Sequence, residues 1–357
     1  MRNISLFSEK PLVFVGWQMI QVFETNGKNL VEIDNDFTGG INLKNKWIHL
    51  ENPTDLEIEL IARVTGADED RIKAALDEDE RSRIETEEGE TLVIFDLPVI
   101  EEGSDYYSYT TVPVGVVLTE VTIITVCLKS NSVIRNLINQ RVKNLDTSDR
   151  NRLLYQMMYL THVKFLQYLR QIDKSYQRIQ GELHRSTKNK ELIQLLDLEN
   201  SLVYFSTSLR GNNLVVERLV RQAEKRENEY NIELLEDVQI ESKQALDMCN
   251  IYRDVLSGTM DAYASIISNN LNITMKLLTI ISVIFSIPTI FASFWGMNTG
   301  VPFQGELYGF FIVVAFSLLV AVGAFFLLRR NERLRFSVRK PKPGKLKRER
   351  KSKNQEE

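Results

Sequence analysis

Residues 277–328 decide the fold: LLTIISVIFSIPTIFASFW (277–295), GMNTGVPFQGE (296–306) and LYGFFIVVAFSLLVAVGAFFLL (307–328). Neither apolar run carries a charged side chain. At about 1.5 Å per helical residue each is long enough to cross a hydrocarbon layer of roughly 30 Å. Arg329-Arg330-Asn331-Glu332-Arg333 follows at once, and the tail from 329 to 357 holds 13 basic against 4 acidic residues. The bias of basic residues toward the cytoplasmic side puts this C-terminus inside, the loop 296–306 outside and everything before residue 277 inside again.

Upstream of the first run there is no proline between Asn231 and Pro288. One helix is therefore expected over 232–295, about 95 Å long, a stalk that becomes a membrane span. From about Ser148 to Asn231 the pattern is helical, with Leu153, Leu154, Met157 and Met158 at helical spacing and corners at Ser186–Asn189 and Glu227–Tyr230. Before that, short β-branched runs alternate with turns: Leu12–Val15, Gln21–Phe23, Trp47–Leu50, Thr91–Val99, Val112–Leu118 and Val121–Leu128. Polar turns are expected around Asn26–Gly40, and two helices follow Pro53, over Leu56–Thr65 and Asp68–Leu76. The fold class is an α+β cytoplasmic domain followed by a long helical stalk and two C-terminal transmembrane helices. Its expected parts are 1–147 (α+β), 148–231 (helical hairpins), 232–295 (stalk and first span), 296–306 (outer loop), 307–328 (second span) and 329–357 (basic tail).

The formal net charge is −4, but the basic tail leaves about −13 on the rest of the chain. An acidic body suits cationic partners, and a basic tail suits the anionic face of a lipid membrane. Cys127 and Cys249 lie far apart and read as buried thiols of a reducing compartment. Met1–Lys10 lacks the pattern of a secretory leader. His49, His162 and His184 are scattered, no nucleophile is set beside a base, and no phosphate-binding glycine loop is present. An enzyme and an ATP-driven pump are therefore not expected, nor is a nucleic-acid partner.

The first span carries a second pattern. Asn272, Met275, Thr279, Ser282, Ser286, Thr289 and Ser293 recur at alternating intervals of three and four, and the rhythm continues upstream through Ser268, Ser265 and Asp261. A repeat of 3.5 residues keeps one stripe facing a common axis in a supercoiled bundle. The bland reading is that small polar residues let membrane helices pack closely. A stripe of this length that includes an acid fits a water-filled path better. A hairpin alone encloses no hole, so several copies must surround the axis. The second span has Gly309, Ser317 and Gly323 but no such stripe.

Gly296-Met297-Asn298 at the outer end of the first span gives the pattern its resemblance. With Lys276-Leu277-Leu278-Thr279 and Phe294-Trp295 before it, and with Trp47–Thr54, Arg83-Ile84-Glu85 and Pro113–Leu118 in the cytoplasmic part, the chain resembles the CorA family of magnesium transporters over most of its length. The resemblance implies a homopentameric funnel whose stalk helix lines the pore. It implies that Asn298 forms an entrance ring for hydrated cation, with Gly296 and Met297 shaping the loop. Asp261, Asn272 and Thr289 match pore-lining positions of the family, and Met275 and Leu278 match its apolar gate. Mg²⁺ is then both the transported ion and an internal regulator. Asp237 matches one regulatory position, with partners sought on the adjacent copy among Asp77, Asp79 and Glu80, in the acidic stretch from Asp77 to Glu88.

On this reading the protein is a channel for Mg²⁺, with Co²⁺ and Ni²⁺ as companions, driven by the membrane potential and closed by internal Mg²⁺. The alternatives are a zinc transporter of the related branch and a membrane-tethered signalling or scaffold protein. The chain departs from the family pattern in three places: Glu306 is the one acid in the loop after the motif, Ser286 stands where some members carry a bulky apolar residue, and Trp295 replaces the usual Tyr.

Overall fold

The computed structural model describes residues 20–27, 29–33, 42–87, 89–102, 107–139, 145–185, 189–223, 229–302 and 306–335. The strand expected at Leu12–Val15, residues 186–188 and 227–228 of the two expected corners, and the tail beyond 335 lie outside them. The chain divides into two compact units, Met1–Met260 and Asp261–Glu357.

The first unit is built on a seven-stranded sheet in the order β2-β1-β3-β7-β6-β5-β4. The strands are β1 (Ile20–Asn26), β2 (Asn29–Ile33), β3 (Trp47–Glu51), β4 (Arg83–Glu87), β5 (Glu90–Glu102), β6 (Tyr107–Leu118) and β7 (Ile123–Cys127). All neighbours are antiparallel except β3 and β7. That parallel pair needs a long crossover, which α1 (Asp55–Thr65), α2 (Glu69–Lys73) and the β4–β6 meander supply. Alternation along β5 sends Val93, Phe95 and Leu97 to one core and Leu92 and Ile94 to the other, so both faces of the sheet are buried. The second core is closed by Ile58, Ile61, Ile72 and Ala75. There Gly115 is required by close approach, because a Cβ on it would come within 2.6 Å of the Ala75 Cβ.

The first core is covered by α3 (Ser132–Ile138), α4 (Arg150–Arg185), α5 (Asn189–Ala223) and the beginning of α6 (Glu229–Trp295), through Leu153, Met157, Val216, Leu235 and Val238. Fully buried Asn212 staples α5 to the sheet. Its Oδ1 accepts the Asp96 N–H at 2.8 Å and its Nδ2 donates to the Asp96 carbonyl at 2.9 Å. Along α6 up to residue 256 the buried positions are Asn231, Leu235, Val238, Ser242, Ala245, Cys249 and Leu256, spaced by threes and fours up to Cys249 and turned toward the unit's own elements.

The second unit holds the rest of α6 and α7 (Leu307–Arg335). At 67 residues α6 is about 100 Å long. Two stretches are long and apolar enough to cross a membrane, within Tyr230–Trp295 and at Tyr308–Leu328, and their most apolar windows are 0% and 11% buried.

Two sequence expectations need correction. Residues 29–33, expected as turn, form β2, because pairing with β1 supplies a partner that the short pattern Asn-Leu-Val-Glu-Ile does not announce. The helix expected over 68–76 stops at Lys73 and tightens into a 3₁₀ turn at Ala74–Leu76. Strand β4 and helix α3 were not anticipated as elements. The apolar stretch of α7 ends at Leu328 as expected, and the helix continues past it to Arg335, since arginine favours helix as much as it opposes lipid.

Candidate functional site

In the second unit α6 has three kinds of surface. Ile280, Ile284, Ile287, Pro288, Phe291 and Trp295 are half-buried, and they share one side of the helix. The Phe291 ring meets Phe316 of α7 edge-on at 5.3 Å. On α7 most of the covered positions are small or short, among them Gly309, Val313, Ser317, Ala321 and Ala324, so the second helix lies close. Thr279, Ser282, Ser286, Thr289 and Ser293 are all exposed. At 100° per residue they centre about 180° from the α7-facing side. The shoulders between these two sides are apolar and exposed: Ile281 and Phe285 on one flank, Val283, Ile290 and Phe294 on the other.

The hydroxyls of this seam bond back into the helix. Thr279, Ser282, Ser286 and Thr289 donate to the carbonyls of Met275 (2.8 Å), Leu278 (2.9 Å), Ser282 (2.8 Å) and Phe285 (3.0 Å). A hydroxyl in hydrocarbon satisfies its proton in this way. Its oxygen lone pairs stay free to accept from outside, so the seam presents acceptors. A concavity of about 620 Å³ lies over Phe285, Ser286, Thr289, Ile290, Ser293 and Phe294.

The remaining candidates of the seam fall in the same register. Asp261, Asn272 and Met275 are exposed on it, and Ser265 donates to the Asp261 carbonyl at 3.0 Å. Leu278, also exposed, stands on a shoulder, turned roughly 70° from the seam's centre at 100° per residue. Counting back by sevens from Asp261 gives Asp254 and Asp247, both exposed. They were not singled out from the sequence, although two more heptads of the same periodicity would have found them. Asp254 is paired with Arg253 at 3.4 Å.

At the outer end the helix closes with Gly296 N–H on the Ala292 carbonyl (2.9 Å) and Met297 N–H on the Phe294 carbonyl (3.4 Å). A Cβ on Gly296 would sit 3.2 Å from the Ala292 oxygen, which makes glycine the comfortable residue there. Met297 and Asn298 are exposed. The Trp295 indole N–H donates to the Pro302 carbonyl at 3.2 Å.

The acids of the first unit are placed differently. Asp77 and Asp79 are exposed, the Asp79 N–H donating to Asp77 Oδ1 at 3.0 Å. Glu80 is half-buried and ion-paired with Arg83. Glu78 holds Lys129 at 3.3 Å, and with Glu101 it keeps that ammonium above the usual lysine range. Asp237 is exposed on α6. Among the described residues no three of His, Cys, Asp or Glu gather into a group able to hold a metal ion. The exposed carboxylates of Asp77, Asp79 and Asp237 are the hard oxygen donors that Mg²⁺ takes. Within one chain they do not meet in such a group.

His49 and His162 belong to the packing of the first unit. Burial pushes both down to about 4, against hydrogen bonds involving Thr125 and the Met158 carbonyl respectively. The side chain of His184 lies outside the described residues. The thiols of Cys127 and Cys249 are buried and pushed up to about 12.

The family profile of the CorA-like Mg²⁺ transporter protein matches residues 42–330. The cobalt/magnesium transport protein CorA of Methanocaldococcus jannaschii is 27% identical over 299 residues, 80% of this chain and 90% of its own length. The protein of the same description from Thermotoga maritima is 27% identical over 173 residues, 48% of this chain and 49% of its own. The complete structure of the CorA magnesium transporter from M. jannaschii superposes with a TM-score of 0.74, covering 87% of this chain and 98% of that one at 24% identity.

Proposed function

The chain belongs to the family of CorA-like Mg²⁺ transporter proteins, and we propose that it forms a ring of identical copies through which divalent cations cross the membrane. Family membership makes it a transporter and not an enzyme. The observation that carries the ring is the placement of the seam. A helix lining a central path must turn a narrow polar edge inward, two apolar shoulders to its neighbours, and its back to an outer helix. In α6 these are Thr279 to Ser293, the Ile/Phe/Val flanks, and the Ile280–Trp295 side against α7. Close packing of the hairpin does not explain the polar residues, because they face away from α7.

The transported ion is hydrated Mg²⁺, with Co²⁺ and Ni²⁺ of similar hydrated size able to share the path. Mg²⁺ gives up water reluctantly, and its bound waters are strong donors. Oxygen acceptors along the seam and the Asn298 amides at the mouth receive those donors without stripping the shell. Gly296 ends the helix, Met297 shapes the turn, and Asn298 of each copy forms the entrance. Met275 and Leu278 narrow the inner part as an apolar constriction, Asn272 and Asp261 lie below it, and the hydroxyls up to Ser293 line the rest.

Five copies is the number that the family resemblance implies. The membrane potential supplies the drive, about 4.6 kcal/mol for a divalent ion across 100 mV. The segments divide the labour as α+β domain (1–147), helical hairpins (148–231), stalk and lining helix (232–295), outer loop (296–306), lipid-facing helix (307–328) and basic cytoplasmic tail (329–357), with both termini inside. Internal Mg²⁺ closes the path by bridging Asp237 of one copy to the exposed acids Asp77 and Asp79 of the next. Glu80 is the weaker candidate, since Arg83 already neutralises it.

The test is Mg²⁺ entry into proteoliposomes under an inside-negative potential, comparing the natural chain with Asn298→Ala. Losing a ring of amides, each a hydrogen bond of roughly 1 kcal/mol, should lower entry by tenfold or more. Equal entry in the two would remove Asn298 from the path, and no entry in either would remove the channel.

A further inference from the structure

Asn298 is exposed and has no hydrogen-bond partner among the described residues. The chain leaves the helix at Gly296 and returns toward α7 through Val301 and Pro302. The indole N–H of Trp295, on the Pro302 carbonyl at 3.2 Å, spans this excursion. We propose that Trp295 is the positioning residue of the entrance: its indole N–H closes the eight-residue turn from 295 to 302 and so sets where the Asn298 amide stands. The proposal rests on the entrance reading above.

The pieces of the tie are chemically matched. Indole is a donor only, with an apolar body behind its N–H. The body of Trp295 lines an apolar recess of about 270 Å³ with Phe291, Val301, Ile312 and Phe316, which fixes the ring between the loop and α7. Pro302 has no N–H, so its carbonyl is the one main-chain polar group it offers. Pro302 is exposed, and water can take over its carbonyl if the indole N–H is removed. Loss of the bond therefore costs the fold little. What it releases is the span of loop that carries Met297 and Asn298.

A bond that acts through geometry leaves a kinetic mark different from one that acts through stability. Trp295→Phe keeps a ring in the recess and deletes the donor. We expect the Mg²⁺ concentration for half-maximal entry to rise about two- to tenfold, the range that losing one hydrogen bond commands, with the maximal rate held within about twofold. Pro302→Ala keeps the carbonyl and should leave the curve within about twofold of the natural chain.

The deciding experiment measures initial Mg²⁺ entry against external Mg²⁺ in proteoliposomes for four proteins: the natural chain, Trp295→Phe, Asn298→Ala and the double variant. If Trp295 works through Asn298, its effect vanishes once Asn298 is alanine. A Trp295→Phe curve superimposed on the natural one overturns the proposal. So does an equal shift in the two backgrounds, or a fall in maximal rate alone. If Asn298→Ala itself changes nothing, the entrance reading has failed and the proposal falls with it. That outcome is distinct from an active entrance that Trp295 does not position. Should Trp295→Phe fail to assemble, Trp295→Met replaces it, with the same shift expected because it removes the donor and keeps an apolar side chain in the recess.

Discussion

The two units treat the same helix in opposite ways. In the first, the rhythm of Leu235, Val238, Ala245 and Cys249 on α6 is buried within the chain, and the sheet beside it is covered on both faces. In the second, α6 carries the same alternation of threes and fours, yet Thr279, Ser282, Ser286 and Thr289 are bare and the spans are almost wholly uncovered. A unit that closes its own core can hold its shape alone. A unit with bare apolar shoulders around a polar seam leaves most of its surface uncovered by its own chain, and in the proposed ring lipid and further copies would cover it.

The contrast can be broken most strongly by damaging the first unit alone. Phe95 is fully buried in the core between β5 and the covering helices. Phe95→Ala should lower the stability of that unit by about 3–5 kcal/mol, read from the urea midpoint of the detergent-solubilised protein. Protein that remains folded should keep its half-maximal Mg²⁺ concentration, and a parallel shift in both would mean that the units do not separate as described.

Acid should act on the same side. His49 and His162 are held neutral by burial at about 4, below the usual 6.5, so the unfolded chain binds more protons between those values. Their contribution is fully present above pH 6.5 and is lost as pH falls toward 4, on the order of 2–4 kcal/mol for each. No histidine lies after residue 184, so the spans are blind to this window. A flat unfolding midpoint between pH 7 and 5 would contradict the burial of both rings.

The smallest effect lies between the first units of neighbouring copies. Asp237→Lys should weaken protection from protease by Mg²⁺, raising the Mg²⁺ needed by about tenfold, the worth of one desolvated charge contact of roughly 1.4 kcal/mol. Unchanged protection would clear Asp237 of a regulatory role.

Much of this was legible in the sequence because the signals were long. The two spans and the 232–295 helix rest on long uninterrupted runs, and the seam repeats one period through ten residues. The pieces that were missed are short and owe their form to a partner. Strand β4, Arg-Ile-Glu-Thr-Glu, shows a single apolar side chain and is a strand because β5 pairs with it. Helix α3 has seven residues and depends on the Asn131 side chain accepting the Ile134 N–H at 2.8 Å. The commitment of Glu80 to Arg83 and of Glu78 to Lys129 was equally hidden. A run of four acids reads alike in sequence, and only packing tells which are spoken for.

The most direct test of the central claim is chemical access to the seam during transport. Single cysteines would replace Ser282 and Ser286 on the seam, and Ile284 and Ile287 on the side against α7, leaving buried Cys127 and Cys249 in place. A water-soluble, membrane-impermeant thiol reagent is applied while Mg²⁺ entry is followed. The seam cysteines should be modified and entry should stop, while those at 284 and 287 stay unreacted and entry continues. Modification at 284 and 287 with Ser282 and Ser286 protected would contradict the account and put the path on the other side of α6.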